Sequence, residues 1–108
     1  MSRETIEIPA SVERLQVLDE NGEVDEDLHP EPDDDTLHAL HRAMVLARRF
    51  DERQLQLQRK GRLGTFAPVH GQEAAQVGSV SVLRDEDWMV PAFRETAAIL
   101  WRGADPTS

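Results

Sequence analysis

Arg94 stands in the stretch "PAFRE", behind a proline and an aromatic, and is the residue best suited to hold an anion. The pattern predicts a helix over 93–102 entered through Pro91, with Arg94 in its first turn. Free backbone N–H groups and the helix dipole attract negative charge there. The same dipole disfavours a cation, so an arginine at that place needs a partner. Its planar guanidinium can grip a phosphate or carboxylate through two parallel hydrogen bonds. From the residues alone, a salt bridge to Glu95, Asp87 or Asp85 is the simpler account of it.

Gln72 and Glu73 open a second predicted helix, over 71–83. Glu73 could serve as a general acid or base, but a glutamate in a first turn also simply complements the dipole. His70 could cap that helix or touch a ligand. His38 and His41 lie three residues apart with Asp34 one turn earlier, a spacing that a surface metal could bridge. The chain has no glycine-rich phosphate loop, serine elbow or paired-carboxylate motif, and its lack of cysteine rules out thiolate chemistry.

The elements that must carry these residues are helical. Leu37, Leu40, Met44 and Ala47 form one apolar row, and Ala43, Leu46, Phe50 and Leu57 a second, so a helix is predicted over 35–60. Asp34 or Asp35 is its expected cap, and Gly61 its expected C′ residue. Two rows make a face too broad for one small core. In the second helix, Gly71, Gly78 and the small residues Ala74, Ala75, Ser79 and Ser81 predict close approach to neighbouring backbone. A short strand is predicted over 88–90, and Asn21-Gly22 predicts a hairpin turn whose charged return arm makes it marginal.

Composition sets the frame. Of 108 residues, 39% are hydrophobic and 31% charged, which is the balance of one soluble domain. The net charge of −9 is unevenly spread, with 13 acidic and 2 basic residues in 1–35 against 8 and 10 in 36–108. Residues 1–35 therefore read as an acidic arm or linker and 36–108 as the folding body, which is mainly α-helical. Such an arm argues against nucleic acid as partner, since phosphate binding needs clustered Lys and Arg. No apolar run is long enough to span a membrane, and "MSRETIEIPASVERLQ" has no secretory core, so a cytoplasmic place is expected. A body of this size buries only about 60% of its unfolded surface, yet its helices carry wide apolar faces. That mismatch predicts a part of something larger.

Five ordered motifs give that larger thing a family. "ARRFDER" (47–53), "QRKGRLGTFAP" (58–68), "GQEAAQVG" (71–78), "DWMVPAFRE" (87–95) and the closing "RG" (102–103) resemble the alpha subunit of thiamine-diphosphate-dependent 2-oxo acid dehydrogenase E1 components. The pyruvate type is the nearest, and the likeness runs from about Leu15 onward. The resemblance implies an α/β thiamine-diphosphate-binding fold in the complete family, with these residues as its N-terminal helical part. It implies an α2β2 assembly with an E1 beta subunit, thiamine diphosphate and Mg²⁺ at α–β interfaces, and acyl transfer from a 2-oxo acid such as pyruvate to the lipoyl arm of an E2 acyltransferase.

Residue by residue, the resemblance puts the family's aromatic-Arg pair on Phe93 and Arg94, where the arginine meets the cofactor's diphosphate. Phe93 stands where the family usually has Tyr, a loss of one hydroxyl and about 1 kcal/mol of hydrogen bonding. The small-residue stretch "HGQEAAQVG" is similar to a packing helix near the pocket. The family's activating carboxylate belongs to the beta subunit, so Glu73 receives no catalytic role. The family's Gly-Asp-Gly motif and later Asn, which hold Mg²⁺ and diphosphate, are not in this sequence, nor are its histidine-bearing loops. These 108 residues alone are therefore expected to be inactive, a piece of an E1 alpha subunit. Two rival readings are a non-catalytic module docking on E1 beta or E2, and an alpha subunit acting on acetoin or branched-chain 2-oxo acids.

Overall fold

Three successive aspartates set the start of the longest element. In the structure, a computed structural model that describes residues 5, 6 and 9–107, helix α1 spans Asp34–Arg59. Residues 1–4, 7–8 and 108, at the ends of the acidic arm and of the helical part, lie outside the described residues. The cap is Asp33 rather than Asp34 or Asp35, because its carboxylate accepts from the backbone N–H of Thr36 at 2.7 Å. The next two aspartates then occupy the first turn, where the dipole favours them. At the far end Lys60 is the C-cap and Gly61 takes φ 66. Gly61 donates to the carbonyl of Gln58 at 2.9 Å and Arg62 to that of Leu57 at 2.9 Å, a Schellman closure.

Leu40, Ala43, Met44 and Ala47 fall on one face of α1, spaced for a helical stripe, and pack on the core. Helices α2 (Glu73–Ser81) and α3 (Thr96–Trp101) lie against α1 and against each other. The centre is Ala47, Val69, Val77 and Ala97, flanked by Leu100 and Trp101. Small side chains at the centre let three helices meet closely. They also leave little apolar area, since a buried valine contributes only about 1.5–3 kcal/mol. Of the second apolar row Leu46 is exposed, while Phe50 and Leu57 are half-buried; Leu37 of the first row and Val45 and Leu55 outside both rows are exposed as well.

Both shorter helices begin later than the sequence predicts, for local reasons. Gly71 takes φ 87, which an α-helix cannot contain, and Gln72 donates to the carbonyl of Val69 at 2.8 Å. The turn therefore consumes residues 69–72, and α2 starts at Glu73. Its small-residue face makes no close backbone approach in this chain, for a methyl group at Gly78 would meet nothing within 4 Å. The segment before α3 is bent by Glu95, whose carboxylate accepts from Ala92 and Arg94, so helix begins only at Thr96. The strand expected over 88–90 does not form among the described residues. A strand needs a ladder partner, and residues 84–87 are instead clamped by Arg102, which donates to the carbonyls of Arg84, Asp85 and Asp87.

Of the described residues, those up to Glu31 form a compact unit of their own. The expected hairpin is reduced to one antiparallel bridge between Leu18 and Val24. Its turn is held by Asp19, whose carboxylate accepts from the backbone of Asn21 and Glu23, with Gly22 at φ 85. No helix of the described residues is long and apolar enough to cross a membrane.

Candidate functional site

Two loops and two helices enclose a cleft of about 590 Å³ lined by Gln54, Phe66, Pro68, Phe93, Arg94 and Thr96, among others. The loop 60–70 reaches it because Asp51, one turn beyond Ala47 on the core face of α1, is buried and accepts from the N–H of Val69 at 2.8 Å. Asp51 thus fixes the end of the "GTFAPVH" loop against the helix. Val69 is itself fully buried, so this bond is shielded from water.

Arg94 lies outside α3, two residues ahead of its first turn, so the expected first-turn position is wrong. Its guanidinium reaches across the cleft, and Nη1 donates to the carbonyl of Pro68 at 2.7 Å. The group lies 5.6 Å from the centre of the Phe93 ring, within cation–π range. Among the described residues it has no carboxylate partner. Glu95 spends its carboxylate on backbone N–H groups, and Asp87 accepts from the N–H of Arg84 at 2.8 Å. One of five guanidinium N–H groups is therefore used by this contact, and the remaining donors include a pair in fork geometry. Phe93 is 75% exposed at the mouth, and Trp88 and Val90 of the same strap are 93% and 90% exposed.

The other sequence candidates separate. Glu73 is buried and paired with Arg48, and its second oxygen accepts from Gly71 N–H at 2.9 Å. The guanidinium of Arg48 holds its carboxyl down at about pKa 2. A carboxylate so firmly ionised is a poor proton carrier near neutrality. It ties α1 to the turn before α2. Gln72 is the N-cap residue of α2 but provides no side-chain cap, and His70 is exposed in the preceding turn. His38 and His41 are exposed on α1, and no group of three metal-ligating side chains occurs among the described residues.

Sequence reasoning passed over Asp51, Arg48 and Gln76. Gln76 is buried in α2, donates to the carbonyl of Arg94 at 3.0 Å, and accepts from the N–H of Ala97 at 3.0 Å. It supplies the cap that α3 lacks locally. A signal for it existed, since residues 73, 76, 77 and 80 share one buried helical face and a polar residue in that register must find partners.

Both walls of this cleft fall within one known domain. Residues 41–108 match the family model of the dehydrogenase E1 component. The chain belongs to that family. Its α1 C-terminal half, its "GTFAP" loop and its Arg94 strap are therefore E1 elements. This E1 chain is 45% identical over 97 residues to the pyruvate dehydrogenase E1 component subunit alpha of Bacillus cereus, covering 89% of the chain and 26% of the relative. It is 46% identical over 92 residues to the subunit of the same name from Staphylococcus aureus, covering 84% and 25%. The Staphylococcus epidermidis subunit is 43% identical over 98 residues, covering 90% and 26%. The chain thus spans about a quarter of the length of these curated relatives. No solved structure matches it.

Proposed function

We propose that these residues serve in the alpha subunit of a pyruvate-type E1 enzyme, and that Arg94 and Phe93 contact thiamine diphosphate. The observation that carries this reading is the state of Arg94. It is anchored through one nitrogen at a cleft between aromatic rings, with no carboxylate to neutralise it among the described residues. A guanidinium held in this way is suited to a diphosphate. Once bound, the cofactor would supply the nucleophilic carbon for decarboxylation of a 2-oxo acid. Arg94 would bind the diphosphate, Pro68 would orient Arg94 through its carbonyl, and Phe93 would pack a ring against the cofactor. No residue of this chain is assigned a catalytic role.

The described residues do not fit a magnesium site, for they offer no cluster of hard ligands. Mg²⁺ therefore falls to residues outside this segment. The activating carboxylate falls to an E1 beta subunit, and the acyl group passes to the lipoyl arm of E2. The enzyme so assembled is an oxidoreductase of the cytoplasm. Names of relatives at about 45% identity favour pyruvate over acetoin or branched-chain substrates.

The test is Arg94→Ala in the native subunit, purified with its partner. Loss of a charge-assisted bond of about 1.5–3 kcal/mol should weaken calorimetric thiamine-diphosphate binding about ten- to hundredfold. Unchanged affinity would make Arg94 a structural residue and remove the basis of the reading.

A further inference from the structure

We infer that Gln76 is a positioning residue for Arg94, setting where the guanidinium meets its anion. The inference rests on the reading of Arg94 given above. Residues 91–95 belong to neither helix nor sheet, and only the carbonyl of Glu95 joins the helical ladder, accepting from Ile99 N–H at 3.0 Å. Glu95 satisfies the N–H groups of Ala92 and Arg94, but it lies in the same strap and moves with it. Gln76 is different. It projects from α2, whose other buried residues include the core valine Val77, and its amide donates to the Arg94 carbonyl at 3.0 Å. The backbone of Arg94 is thereby tied to the helical core, while Nη1 ties its tip to Pro68.

The chemistry explains why glutamine suits the place. One planar group must donate to the Arg94 carbonyl and accept from Ala97 N–H, three residues further on. A primary amide offers both at once from one uncharged terminal group, and asparagine from the same Cα falls one methylene short. The side chain is buried and fully engaged, with Nε2 also donating to the side-chain oxygen Oε1 of Gln72 at 3.4 Å. Its orientation is therefore fixed, and so is the carbonyl it holds.

The experiment uses the native subunit purified with its partner, freed of cofactor, with thiamine diphosphate binding read by calorimetry. Gln76→Leu removes both bonds. Gln76→Glu keeps the acceptor for Ala97 and loses the donor to Arg94, so it serves if the leucine variant does not fold. Each should weaken binding about tenfold, or about 1.4 kcal/mol, with turnover at saturating cofactor within about twofold of wild type. In an Arg94→Ala background the added effect of either change should vanish, because Gln76 acts through Arg94. Wild-type affinity in the Gln76 variants would overturn the inference, and so would an effect that persists undiminished without Arg94. If Arg94→Ala alone leaves binding unchanged, it is the reading of Arg94 that fails.

Discussion

Replacing Asp51 with alanine probes the joint on which the cleft depends. The carboxylate is buried and accepts from Val69 N–H at 2.8 Å, and Val69 is fully enclosed. Removing the acceptor gives up a bond to a charged group, about 1.5–3 kcal/mol, and strands a donor that water cannot reach. A total of about 2–4 kcal/mol follows. At about 4–8 °C per kcal/mol for a domain of this size, the melting midpoint should fall by about 8–32 °C. Asp51→Asn keeps an oxygen in place and loses only the charge, so it should cost about 1 kcal/mol. Circular-dichroism melts of the 108-residue chain measure both, and hydrogen exchange at the Val69 amide localises the change. An alanine variant melting with the wild type would refute the reasoning. So would an asparagine variant as damaged as the alanine one, since the hydrogen bond would then not be the source of the loss.

Acid should loosen the joint between α1 and the turn before α2. Glu73 has its pKa lowered from 4.5 to about 2 by the Arg48 hydrogen bond, so its stabilisation is present above the unfolded value and is lost as pH falls through that window. Urea midpoints between those values should fall more steeply in wild type than in Glu73→Gln, and equal slopes would count against the pair. Arg102→Ala should free three carbonyls of residues 84–87 and speed tryptic cleavage after Arg84; unchanged digestion would show the clamp to be idle. Gly71→Ala should destabilise the chain by about 1–2 kcal/mol in chemical denaturation, because a side chain at φ 87 is strained. Iodide should quench Trp88 but scarcely Trp101, so Trp88→Phe should abolish most of the quenching.

Helix α1 was legible in the sequence almost to its ends, because 26 residues of repeating apolar spacing leave little freedom. The helices after it were legible in kind but not in extent. The start of α2 depends on the positive φ of Gly71, and that of α3 on Glu95 bending the strap before it and on Gln76 reaching from α2 to the N–H of Ala97. Periodicity over nine and six residues cannot report such contacts. The place of Arg94 followed the same fate. An anion-binding role was read from its type and its neighbours, but its anchor is a backbone carbonyl 26 positions away, and carbonyls carry no sequence signal. Glu73 was read from the sequence without a catalytic role, and its burial against Arg48 was not foreseen.

The strap that holds Arg94 also bears Trp88, Val90 and Phe93, nearly bare, within a few residues of it. A surface that covers those side chains acts on the same short backbone that sets the guanidinium. On the proposed reading, assembly and cofactor affinity would share one free energy: if covering the strap sharpens the grip on diphosphate, bound diphosphate must tighten the covering by the same factor. An orphaned subunit of this kind would therefore sense its companion through its ligand.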